Sequence, residues 1–253
     1  MALAWTEQGG EDAPPLVLLH SLGTSSEMWR SQHDLATTVR LVLPDLPGHG
    51  KSPLATSGDD LDTLGAGVLA VTDAIGLDRF HLCGVSLGGQ VALWAAIHHP
   101  HRLLTVTVAN SAARIGSAQG WADRISAIRE HGMEAMAAQV AGRWFTEGFA
   151  QHDPDTWRQA LAMFSSTDPD GYVAACRVLA GADLRPDVGR IETPALIIGA
   201  SGDLSTPPGD AQWLAASIPH ARLEIIEHAA HLSNMEQPET FNRLLRSHLP
   251  HGS

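Results

Sequence analysis

The chain reads as a single α/β domain built on a mostly parallel, doubly wound sheet, and three observations predict that class. Continuous apolar runs of strand length alternate with helical stretches from Pro15 onward, the pattern of strands buried on both faces of a parallel sheet. The alternation breaks once, between about Ser117 and Arg185, where helical stretches follow one another without a convincing strand. The length of 253 residues suits one such domain carrying an insertion better than two independent domains.

Taken in order, Leu3–Thr6 is a candidate antiparallel edge strand, and Leu16–His20 and Arg40–Pro44 are buried strands. A soft polar loop at Thr56–Asp60 leads into a helix at Leu61–Ile75. Phe80–Val85 is the next strand, Leu87–His98 a helix, and Leu103–Asn110 a strand. The strandless region offers helices at Trp121–Arg129, Met133–Trp144, Pro154–Ser165 and Gly171–Leu179, and is too long for a loop in a compact domain. It reads as a helical lid inserted after the sixth strand. Strands at Ala195–Gly199 and Arg222–Glu227, with helices at Gly209–Ser217 and Pro238–His248, complete the sheet. The expected divisions are a core first part at 1–116, the lid at 117–185 and a core second part at 186–253.

Composition excludes several classes. Hydrophobic residues at 44% and charged residues at 17% exclude a disordered chain. No apolar run approaches the length of a membrane-spanning helix. A net charge of -12 opposes the footprint of a nucleic-acid binder, so the expected partner is a small molecule, with neither nucleic acid nor membrane. Cys83 and Cys176 are far apart and suggest no disulfide or zinc site. Met1–Trp5 lacks the features of a secretory signal, so the expected location is the cytoplasm. Dinucleotide, P-loop and metal-ligand spacings are missing from the sequence, and no cofactor is expected.

The chemistry lies at strand ends. Gly84-Val85-Ser86-Leu87-Gly88 follows an apolar strand and opens a helix, the context of a nucleophile elbow in which Ser86 occupies a strained turn between small residues. A glycine-rich tight turn is the alternative. A serine hydroxyl needs a base, and two histidines follow the last strand. His231, after Ala229-Ala230, is the candidate base, and His228 reads as a loop histidine. Asp203, just beyond Ala195–Gly199, is the candidate acid that orients it; Asn110 is neutral and Asp210 falls within a helix. The order Ser86, Asp203, His231 suits this topology. The backbone N–H groups of Leu22, in His20-Ser21-Leu22-Gly23, and of Leu87 are candidate donors to an oxyanion. Asp45 and His49 read as structural, the aspartate bracing a turn and the histidine bonding beneath the oxyanion loop.

These parts together resemble the α/β-hydrolase superfamily over nearly the whole chain. Within it the chain is most similar to the 3-oxoadipate enol-lactonases. The likeness is carried by His20-Ser21-Leu22-Gly23-Thr24, Met28-Trp29, Cys83–Gly89, Ala109-Asn110-Ser111-Ala112, Arg143-Trp144-Phe145, Gly171-Tyr172 and Ala229–Pro238. The resemblance implies a serine hydrolase that opens 3-oxoadipate enol-lactone to 3-oxoadipate in aromatic degradation, through an acyl-enzyme on Ser86. It also implies a site for the substrate carboxylate, for which Arg143, aided by Trp144, is the candidate; a solvated lid arginine is the alternative. Competing readings are a broader carboxylesterase or lactonase, a carbon–carbon bond hydrolase of ring-cleavage products, and a ligand-binding receptor on the same fold.

Overall fold

The computed structural model describes residues 2–56 and 58–249. Met1, Ser57 within the expected polar loop, and 250–253 at the end of the expected second core part lie outside the described residues.

Strands form where the sequence is continuously apolar. The strands are β1 (Trp5–Gln8), β2 (Pro15–Leu19), β3 (Arg40–Pro44), β4 (Phe80–Val85), β5 (Leu103–Ala109), β6 (Ala195–Ala200) and β7 (Arg222–Ile226). They make one seven-stranded sheet in the order β1-β3-β2-β4-β5-β6-β7. All neighbours are parallel except β1, which runs antiparallel to β3 from Trp5 opposite Pro44 to Gln8 opposite Leu41. Every residue of β4 and β6 is buried, as strands covered on both faces require. The edge strand lies two residues later than the expected Leu3–Thr6; Leu3 packs into the core instead, 2% exposed. Three of the four residues of β1 face solvent, so no apolar run marks it.

The helices are α1 (Leu61–Ala74), α2 (Leu87–His98), α3 (Ala118–Ala141), α4 (Phe149–His152), α5 (Pro154–Ser166), α6 (Pro169–Gly181), α7 (Pro208–Ser217), α8 (Ser233–Glu236) and α9 (Pro238–Arg246). Helix α2 is buried from Leu87 to Ile97, which is why it is apolar on every side. Helix α3 joins the two helices expected at Trp121–Arg129 and Met133–Trp144 across a break at Gly132, whose φ of 78° and ψ of 168° only glycine adopts readily. A twelve-residue 3-10 segment at Ser26–Thr37, capped by Ser25, has no counterpart in the sequence reading.

Helices α3 to α6 form the insertion, with α3 packed against α5 and α6. They follow the fifth strand, not the sixth, since only five strands precede them among the described residues. Among the described residues no helix is long and apolar enough to cross a membrane.

The chain runs from β2 outward to β3 and then crosses back to β4 on the other side of β2. That reversal opens a crevice at the carboxyl ends of β2 and β4, where α/β sheets place their ligands. Leu22 and Ser86 follow those ends, while Asp203 and His231 follow β6 and β7.

Candidate active site

Ser86 stands between β4 and α2 with φ 55° and ψ -114°, a strained conformation for a residue with a side chain. The surroundings enforce it. The Ser86 N–H donates to the Ala109 carbonyl at 3.0 Å, and the Ser111 hydroxyl donates to the Ser86 carbonyl at 2.7 Å. A Cβ on Gly84 would overlap the Gly88 carbonyl, and one on Gly88 would overlap the Leu19 carbonyl. Only glycine therefore lets strand, turn and helix close around the serine.

His231 and Asp203 meet as expected from the sequence. Nδ1 of His231 lies 2.9 Å from Oδ2 of Asp203, and both side chains are buried. The aspartate caps its own loop: Oδ1 accepts the N–H groups of Ser205 at 2.7 Å and Thr206 at 3.0 Å. Oδ2 also accepts the Thr206 hydroxyl at 2.8 Å and the Asn110 amide at 3.0 Å. Burial disfavours the charged carboxylate, but His231 and the Thr206 donors outweigh it and hold the group below the ordinary carboxylate range. Such a carboxylate fixes the Nδ1–H tautomer of the histidine and leaves Nε2 free to take a proton. His228 sits exposed in a turn at φ 56°, and half-buried Asp210, on α7, makes no hydrogen bond to His231.

The loop after β2 is pinned from beneath by two buried histidines. His49 Nδ1 faces the Pro47 carbonyl at 2.9 Å, and its Nε2 accepts the Gly23 N–H at 3.1 Å. His20 Nδ1 faces the Ser21 carbonyl at 2.8 Å, and its Nε2 accepts the Leu46 N–H at 2.8 Å. Both rings are therefore neutral Nδ1–H tautomers, and burial holds both below the usual histidine range, His49 at about 3. Asp45 braces the adjoining turn through the N–H groups of Ser26 and Lys51. With its neighbours committed, the Leu22 N–H meets no acceptor among the described residues. Leu87, the first residue of α2, carries one of the N–H groups that a helix start leaves unpaired. Leu22 and Ser86 line one cavity, and Leu87 directly follows Ser86 in the chain.

A cavity of about 240 Å³ lies in front of these groups, and Ser86, His231 and Leu22 are on its wall. The insertion supplies the opposite side. Trp144 is buried and T-shaped against Phe164. Arg143 also borders the cavity but is exposed, its Nη2 donating to the Leu204 carbonyl at 2.8 Å. The sequence reading missed Arg124, which lines the same cavity, and the buried Tyr172 beside it. The available signal was spacing: Ser117, Gly120, Trp121 and Arg124 fall at i, i+3, i+4 and i+7 on one helical face. Among the described residues no cluster of His, Cys, Asp and Glu could hold a metal ion.

Residues 14–238 match the model of the alpha/beta hydrolase fold, and the chain belongs to that family. It is a hydrolase. Within the family it is 38% identical to 3-oxoadipate enol-lactonase 2 of Acinetobacter baylyi, over 98% of this chain and 92% of that protein. It is likewise 38% identical to 3-oxoadipate enol-lactonase 1 of the same organism, over 92% of this chain and 87% of that protein. The enol-lactonase of Burkholderia xenovorans LB400 superposes with a TM-score of 0.93 at 35% identity, covering 97% of this chain and 95% of that one.

Proposed function

We propose that this hydrolase opens 3-oxoadipate enol-lactone to 3-oxoadipate, with Ser86 as nucleophile, His231 as base and Asp203 as the acid that orients it. The observation that carries the reading is His231, paired with buried Asp203 and lining one cavity with a strained serine and an unpaired Leu22 N–H. The named relatives support the choice of lactone.

In this reading His231 Nε2 takes the Ser86 proton as the serine oxygen bonds to the lactone carbonyl carbon. The Leu22 and Leu87 N–H groups hold the oxyanion. Collapse breaks the ring C–O bond and expels an enolate, which His231 protonates and which settles as the ketone. Water then attacks the acyl-enzyme, His231 takes its proton, and Ser86 is released with the new carboxylate. Helices α3 to α6 act as the lid of the site, with Arg143 and Trp144 as substrate contacts at its rim and wall.

The test follows the ultraviolet loss of the enol-lactone with the wild type and Ser86→Ala, beside p-nitrophenyl acetate. Lactone turnover far above ester turnover, lost by roughly 10⁴-fold or more in the variant, is the expected result. Good Ser86-dependent ester hydrolysis without lactone turnover sinks the substrate and points to a broader esterase. Turnover of neither, with tight retention of the lactone, points to a receptor.

A further inference from the structure

Resting on the reading above, we infer that Arg124 and Tyr172 form the carboxylate-binding end of the cavity, so that the enzyme selects small esters or lactones carrying a free carboxylate. The chain carries a net charge of -12 and as a whole repels such a substrate, so the cavity needs a local cation. Two arginines border it, and they differ in kind. Arg143 is exposed to water and already donates to the Leu204 carbonyl. Arg124 is half-buried on the cavity face of α3 and forms no ion pair with any carboxylate among the described residues.

Its one hydrogen bond is a long 3.4 Å contact from Nη1 to the Tyr172 hydroxyl oxygen. That contact leaves most of the guanidinium fork uncommitted. Tyr172 is 1% exposed, and burial pushes its phenol well above the ordinary range, so it keeps its proton. The hydroxyl accepts from Arg124 and donates to no acceptor among the described residues. A cation with open donors beside a buried phenol with a spare proton, both on the cavity wall, matches a carboxylate's two oxygens. The buried side of the pair is where desolvation strengthens such bonds. Ser86 and His231 line the same cavity, so a carboxylate held here leaves the ester end of the molecule for the serine.

The experiment has two arms. In the first, glutarate and its uncharged diamide are titrated as inhibitors of p-nitrophenyl acetate hydrolysis by the wild type, Arg124→Met, Arg124→Lys, Tyr172→Phe and Arg143→Met. Glutarate is expected to inhibit the wild type far better than the diamide. Arg124→Met should raise the glutarate inhibition constant about 10- to 100-fold while shifting the diamide's little, the size expected for a charge-assisted hydrogen bond. Arg124→Lys should restore part of the loss and Tyr172→Phe should lose less, while Arg143→Met should fall well short of Arg124→Met. Equal weakening of glutarate and diamide, or a larger effect at Arg143 than at Arg124, overturns the assignment.

The second arm compares the enol-lactone with its methyl ester. The ratio of kcat/KM for acid over ester should fall by the same factor in Arg124→Met. Lactone turnover with an unchanged ratio removes the carboxylate site and keeps the reaction. Arg124-dependent glutarate inhibition without lactone turnover keeps the site and removes the reaction. Melting curves of each variant identify one that fails to fold, and Arg124→Lys, which retains the charge and stem, then carries the comparison.

Discussion

At the residue scale Asp203, the proposed acid, is held by more than the His231 it faces. Asn110, at φ 44° immediately after β5, donates to the same Asp203 oxygen that faces His231. Its own amide oxygen accepts the Ser233 hydroxyl at 2.6 Å, which fixes which end of the amide points at the carboxylate. Asparagine is among the residues that tolerate a left-handed backbone, so the position selects it twice, for conformation and for the donor. The sequence reading exposed Asn110 as the residue after a strand and set it aside as the acid because its side chain is neutral. It could not reveal the donor role, because Ser233 and Asp203 reach Asn110 only through tertiary packing. Ser233→Ala releases the amide, and we expect kcat to fall about 3- to 10-fold with KM unchanged, in line with one neutral hydrogen bond. Adding Asn110→Ala should then cost less than it costs alone, since both act through one carboxylate. Steady-state kinetics on the four proteins of that cycle decide it; full additivity, or a rise in KM alone, excludes the relay.

At the element scale, the loop that carries His231 is fastened to the helical insertion. The Leu232 N–H donates to the Trp144 carbonyl at 2.9 Å. Glu236, on α8, accepts the Thr146 N–H at 2.9 Å and the Thr146 hydroxyl at 2.5 Å with one oxygen, and the Ala230 N–H at 2.7 Å with the other. One carboxylate therefore ties the residue before His231 to the turn that follows Trp144. Glu236→Ala leaves three donors unmet, and should lower stability by about 1–3 kcal/mol and reduce kcat as the histidine loop loosens. Urea unfolding beside steady-state kinetics measures both; a stability loss with full kcat would show that the histidine is positioned without this latch. Legibility followed the same division. The buried strands and α2 were readable because continuous apolar runs have one explanation in a parallel sheet. Strand β1 was displaced by two residues because its side chains face water, and the 3-10 segment at Ser26–Thr37 was missed because tertiary contacts hold it. Gln32 on that segment bonds the Asn234 carbonyl and the Asn242 side chain, partners more than two hundred residues away. The break at Gly132 was legible from the sequence, which ends one helix at Arg129 and starts the next at Met133; the backbone at that glycine is non-helical and separates two helical stretches.

For the whole molecule, the sheet and the insertion share one hydrophobic core, which runs from Leu18 and Val85 in the strands to Met136, Trp144, Phe164 and Tyr172 in the helices. A penalty at a site packed against that core is therefore felt by the fold as a whole. The buried histidines supply such a penalty in acid. Burial, joined by the closeness of the His20 ring, which opposes a second positive charge there, holds His49 at about 3 against an ordinary value of 6.5; Asp45 and Asp168 pull the other way and are outweighed. Burial, with the charge of His248, likewise holds His81 at about 4. Between pH 6.5 and about 4 the unfolded chain binds protons at these rings that the native state refuses, so stability is present above 6.5 and falls as pH drops. Each ring contributes a slope of up to about 1.4 kcal/mol per pH unit in that window. Asp203 does not oppose the trend there, because its depressed carboxyl contributes stability that is lost only as pH falls below the ordinary carboxylate value of 3.8. His49→Gln keeps an acceptor for the Gly23 N–H and cannot be protonated. The variant should therefore lose about 2 kcal/mol less than the wild type between pH 7 and pH 5, whatever its stability at pH 7. Urea midpoints for both proteins at the two pH values measure the difference. Parallel losses would mean that His49 takes up its proton in the folded state, which its position beneath the loop after β2, with Nε2 already accepting the Gly23 N–H, does not permit without breaking that bond.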